Sequence, residues 1–217
     1  MASFLDEHLL RLQRCLRRVS LLPSRAAERA PDCQVAALLL RHCGTSRAQH
    51  LLRALPPRLT RAFAVRADEL LREAFVIALG LPGLDAPQQL QLTLPTAYGG
   101  MGVTPLEATA EAAYLGAAAQ VHEAAGGGLA WPADVAPTIE ALRTRHGVSV
   151  RAVLGGDLTD PATGGNSKVQ KRLTAAVQLA RPRNSRSPCA PRSLRRSIAG
   201  APRLMPTGTV RQAQRRG

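Results

Sequence analysis

LLLRHCGTSRAQHLLRALPP, residues Leu38–Pro57, sets leucines and arginines around one glycine and ends on a proline pair. Asp32, directly after Pro31, is a natural N-cap for a helix over Cys33–Cys43, with Val35, Leu38, Leu39 and His42 as its buried face. Gly44 reads as the stop of that helix, because glycine tolerates the left-handed conformation of a helix C-terminus. Ser46 then caps a short helix through Leu55, and Pro56-Pro57 halts it, since proline cannot donate to a preceding turn. The stretch thus predicts two short arginine-bearing helices joined at a glycine.

Working upstream, Leu5, Leu9, Leu12, Leu16 and Val19 recur at helical spacing behind Ser3 and Asp6, and Pro23 ends the pattern. This narrow stripe serves either to pack on its own domain or to dock a helical protein partner through Leu5, Leu9, Leu12 and Leu16. Downstream, Thr60 opens the longest helix, to about Leu79, with Phe63, Ala67, Leu70, Ala74, Ile77 and Ala78 on its apolar face; Gly80-Leu81-Pro82-Gly83 breaks it. Leu90–Leu94 fits a short strand or a helical turn started by Pro87. Tyr98–Gly102 must be a tight loop. Thr104 and Glu107 have the spacing of a capping box, with Pro105 at the first helical position of an alanine-rich helix running to about Ala125. Beyond Gly126-Gly127-Gly128 come a short helix near Pro137–His146, a loop over Gly155–Gly165 and an amphipathic helix Lys168–Leu179 with Val169, Leu173, Ala176 and Val177 inward.

The chain therefore predicts a mainly all-α fold, a small helical bundle with Gly/Pro-rich loops. It divides into a helical module over 1–125, a second helical region with a Gly-rich loop over 126–180, and a disordered Arg/Pro/Ser-rich tail over 181–217. Scarce aromatics and abundant alanine and leucine support helices over sheets.

The formal charge is +14, yet from Arg181 onward there are ten arginines and no acid, leaving +4 for the rest. Lysine occurs only at Lys168 and Lys171. Arginine suits phosphate recognition because its planar fork binds bidentately; a GC-rich genome also produces this bias without selection for binding. Four cysteines without Cys-x-x-Cys spacing fit a reduced intracellular protein, nuclear or cytoplasmic. No run is apolar enough for a membrane span, and Asp6, Glu7 and Glu28 argue against a transit peptide.

Catalytic patterns are missing from the sequence. Cys33, His42, Cys43 and His50 match no zinc-ligand spacing. Gly164–Lys168 lacks the ending and the preceding strand of a phosphate loop, Asp157 and Asp160 lie in a loop with nothing to orient them, and no paired aspartates stand ready for two divalent metals. The expectation is a non-enzyme without cofactor or metal. What remains is Arg41, Arg47, Arg53, Arg58 and Arg61 around two helix ends and the Pro-Pro turn, with helix N-termini expected near Ser46 and Thr60. That cluster is either a phosphate-tracking face or a solvated surface.

Leu39, Leu40, His42, Cys43 and Gly44, followed by Leu51, Leu52, Arg53, Pro56 and Pro57, resemble the region just after the catalytic palm of non-LTR retrotransposon reverse transcriptases. In that family an amphipathic helix follows, matched by Ala62–Leu81. A Gln-x-x-Leu-Pro segment then runs into a glycine loop and an Ala-Ala-Tyr-Leu-Gly helix. Here these are Gln91, Leu94, Pro95, Gly99, Gly100, Met101, Gly102 and Ala112–Gly116, and Gln170–Val177 resembles a further segment. The palm with its metal-binding aspartates is missing from the match, and the tail after Ala180 matches nothing and reads like frameshifted or read-through sequence. The resemblance implies a thumb and connector fragment gripping an RNA–DNA hybrid or primer–template duplex by its backbone. Arg53 would be the leading contact, and Arg41, Arg47, Arg58 and Arg61 secondary ones. The alternative is a helical protein-interaction module, or a decayed reading frame with no selected activity.

Overall fold

The computed structural model describes residues 2–22, 31–159 and 168–184, which are mainly helical with no strand among them. The Pro23 stop, the second half of the Gly155–Gly165 loop, most of the Gly164–Lys168 stretch and the tail beyond residue 184 lie outside the described residues. Helix α1 spans Ala2–Ser20. Helix α2, Pro31–Leu39, passes through a π turn at Leu40–Gly44 directly into α3, Thr45–Ala54. Helix α4 covers Pro57–Ala78 and α5 covers Ala86–Thr93. A 3₁₀ turn at Thr96–Tyr98 precedes α6, Leu106–Ala124. Helices α7 (Val135–His146), α8 (Val150–Leu154) and α9 (Val169–Asn184) follow.

Helix α6 organises the rest because it is apolar on two sides. Leu106, Ala110 and Ala113 form one stripe at helical spacing, and Ala108, Ala112, Leu115 and Ala119 form a second. The stripes are offset by two residues, which is about 200° around a helix. The first stripe closes a core with α1, α2, α3 and α4, built on Leu16, Leu40, Leu52, Phe63, Leu71 and Phe75. The second closes another with α7, α8 and α9, through Leu142, Val150, Leu154, Val169, Leu173 and Val177. The two cores share α6, so the chain on either side of residue 125 is joined by this helix.

Several expectations change in three dimensions. Gly44 does not stop a helix: its φ is −64°, and the backbone stays helical into α3. Its role is close packing, since a Cβ there would sit 2.9 Å from Cδ2 of both Leu16 and Leu71. Ser46 is therefore inside a helix and donates its hydroxyl back to the Cys43 carbonyl instead of capping an N-terminus. On α2 the buried positions are Ala36 and Leu40, while Val35, Leu38 and His42 are exposed. Within Pro31–Leu39 Ala36 is the buried residue, and Leu40 of the π turn continues its inward face. On α4, Leu71 and Phe75 replace Ile77 in the core; Ile77 is 54% exposed. Leu5, Leu12 and Leu16 are buried in the first core, where α1 packs along α4. The leucine stripe is thus already covered by the chain itself and is not free to dock a helical partner.

Of the two readings of Leu90–Leu94, the helix forms. Asp85 and Gln88 make a reciprocal capping box that starts α5. The Thr104–Glu107 box does not form. Pro105 is the N-cap of α6, and the amides of Leu106 and Glu107, which have no partner within the helix, donate to the Asp68 carboxylate of α4 at 2.8 and 3.0 Å. A carboxylate from a neighbouring helix satisfies the first turn and favours the positive end of its dipole. Asp68→Ala should lower stability by about 1–2 kcal/mol, measurable as a reduced urea midpoint at unchanged slope. Helix α9 keeps its expected inward face and runs to Asn184, five residues past its expected end at Leu179. No helix among the described residues is long and apolar enough to cross a membrane.

Candidate nucleic-acid interface

Helix α3 packs along α6, and the chain reverses at Pro56-Pro57 so that α4 returns along the same helix. This topology strings three of the five arginines along α6. Arg61 lies 3.8 Å from Glu107, in the first turn of α6. Arg58 lines a cleft with Glu111, one turn further on, and pairs with Asp134 at the start of α7. Arg53 donates to the Gln120 side-chain oxygen at 2.6 Å, near the other end. From Glu107 to Gln120 the helix rises about 20 Å, so the arginines form a line instead of a tight patch. Of the two helix N-termini expected beside them, only that of α4 exists, starting at Pro57 rather than Thr60.

The remaining two arginines sit on the α2–α3 helix. The Arg41 guanidinium lies against Gly102, where a Cβ would come within 2.9 Å of Cζ and Nη2. Gly102 also has φ of +70°, so glycine is needed there twice over. Arg47 is exposed. Arg41, Arg47 and Arg53 have no carboxylate partner among the described residues, while Arg58 and Arg61 do.

Acids that the sequence does not connect with these arginines shape the neighbourhood. A cleft of about 210 Å³ is walled by Pro56, Pro57, Arg58 and Arg61 on one side and Asp134 and Arg145 on the other. Below it Arg145 donates to both Glu107 and Glu111. Glu111 is 2% exposed, and its Oε2 faces His146 Nε2 at 3.7 Å. Burial pushes the Glu111 carboxyl upward, but His146, a backbone amide and Arg145 outweigh it and hold the carboxyl below the usual range. The hydrogen bond from Arg58 to Asp134 and their mutual attraction hold that guanidinium still more firmly protonated. Glu107 and Glu111 stand four apart on one helix face, and Arg145-His146 close α7. That much is visible in the sequence; their convergence across 34 and 38 positions is not.

Cys33, His42, Cys43 and His50 do not converge: among the described residues no group of three or more His, Cys, Asp or Glu side chains could hold a metal ion. Compared with known proteins, the chain matches no family model, no curated protein and no solved structure.

Proposed function

We propose that this chain is a non-catalytic helical module that holds the backbone of template–primer nucleic acid. In this reading it corresponds to the thumb and connector region of a non-LTR retrotransposon reverse transcriptase, which the order of its sequence motifs resembles. The observation that carries the reading is the set Arg41, Arg47 and Arg53 on one continuous helical rod, none of them committed to a carboxylate among the described residues. The order of the motifs that resemble the family adds to it. An RNA–DNA hybrid suits uncommitted arginines spaced along and around such a rod because contacts to phosphates and sugars need no access to base edges. Arg58 and Arg61 lie along α6 with Arg53 but carry acids, so they contribute less in the resting state.

Arg53→Ala should weaken binding of the full chain to a labelled RNA–DNA hybrid by about five-fold. It should also reduce the steepness of the salt dependence by about one phosphate equivalent. Fluorescence anisotropy over a salt series reads both quantities, and an unchanged affinity and slope would remove Arg53 from the interface. A second reading, a helical protein-interaction module, is favoured by Val35 and Leu38, three residues apart on α2 and each about half exposed. A decayed reading frame would instead show no cooperative thermal transition.

A further inference from the structure

We infer that Asp134 is a built-in competitor for the phosphate that Arg58 would otherwise bind, so that the Pro-Pro turn carries an intramolecular brake on nucleic-acid binding. The inference rests on the nucleic-acid reading above.

The geometry names the competing edge. Asp134 Oδ1 lies 2.7 Å from Arg58 Nε and Oδ2 lies 3.5 Å from Nη2. That Nε–Nη2 edge is one by which a guanidinium takes a phosphate bidentately. The carboxylate therefore stands where a phosphodiester would stand. The pair spans 76 positions and joins α4 to the start of α7, so it is a product of the tertiary fold and not a local helix pair.

The two partners differ in freedom. Asp134 keeps a quarter of its side chain exposed and Arg58 two-thirds. The carboxylate is thus fixed at the cleft wall, while the guanidinium can swing from it to an incoming phosphate. Thr138 donates both its amide and its hydroxyl to the Asp134 backbone carbonyl, which anchors the residue independently of its charge. Arg61 is held differently: its nearest acid, Glu107, is already engaged by Arg145 and approaches no closer than 3.8 Å. Arg58 is the braked arginine of the line. Exposed pairs are weak, so the brake attenuates binding by roughly two- to five-fold instead of blocking it.

Asp134→Asn removes the charge and keeps the shape and the backbone anchor. A double-mutant cycle on the full chain tests the idea with a labelled RNA–DNA hybrid: wild type, Asp134→Asn, Arg58→Ala and the double variant, with thermal melts confirming that each is folded. Asp134→Asn should bind roughly two- to five-fold tighter, with a salt dependence steeper by about one phosphate. In the Arg58→Ala background the same change should have almost no effect. An unchanged or weaker Asp134→Asn overturns the brake, as does a gain that persists undiminished without Arg58, since that would be a general charge effect. If the wild type binds and Asp134→Asn equals it, only this inference falls. If none of the four proteins binds the duplex, the nucleic-acid reading falls with it.

Discussion

Arg145→Ala should cost about 3 kcal/mol of stability at neutral pH, and the deficit should shrink as the solution is acidified. Arg145 donates to both Glu107 and Glu111. Removing it leaves Glu111, 2% exposed, as a buried carboxylate short of its strongest cation. Breaking a buried pair from one side costs about 3–5 kcal/mol; the lower end applies because Arg145 keeps a quarter of its side chain in solvent. In the wild type the Glu111 carboxyl is depressed below its unfolded value. Its contribution is then present above the ordinary carboxylate range and lost as pH falls through the folded value. In the variant, protonating Glu111 instead relieves an uncompensated charge. Melting temperatures of the two proteins should therefore converge between neutral pH and about pH 4. A gap that stays constant over that interval would mean that Arg145 acts through packing alone.

Gly116→Leu should have an effect at least as large, about 3 kcal/mol or more, and it should be local. Helix α9 crosses α6 so closely that a Cβ at Gly116 would lie 2.3 Å from the Gln170 Cβ and 2.8 Å from its Cα. A backbone atom cannot yield as a side-chain tip can, so α9 must move. Its inward residues Val169, Leu173 and Val177 then leave the second core. Helical circular dichroism should fall, and amides of α9 should lose hydrogen-exchange protection ahead of α1 to α4. Even Gly116→Ala should destabilise, although alanine favours helices over glycine by about 1 kcal/mol. Gly83→Ala is the control, because no atom lies within 4 Å of a Cβ there. If Gly116→Leu behaves like that control, the close crossing of α6 and α9 is wrong.

The Pro-Pro reversal, the long fourth helix and the inward face of α9 are all readable from local pattern, because proline chemistry and helical spacing act within a few residues. Gly44 and Glu107 are not. A glycine that ends a helix and a glycine that admits two leucine side chains are the same letter, and only the approach of Leu16 and Leu71 separates them. Glu107 had the spacing of a capping box, but Asp68 took the amides and Arg145 took the carboxylate. On α2 the inward face is the one carrying Ala36 and then Leu40, not the one through Val35 and Leu38, and only the packing of α1 and α4 selects between them. At the candidate interface the arginines themselves were legible, with their order along the chain. The acids that divide them into committed and uncommitted sets were not, since Asp134 and Glu107 reach them across many intervening residues.

Ten arginines lie from Arg181 onward, seven of them beyond Arg186, so binding by the full chain alone would not identify the helical rod as the interface. Helix α9 runs to Asn184, which places the informative cut after Arg186, at the edge of the compact unit, and not at Ala180 inside the helix. The decisive measurement is the affinity of that shortened chain for an RNA–DNA hybrid, with and without Arg53→Ala. The account predicts weaker but measurable binding that falls steeply with salt and drops further when Arg53 is removed. Loss of all binding on shortening, in a protein that still melts cooperatively, would contradict it.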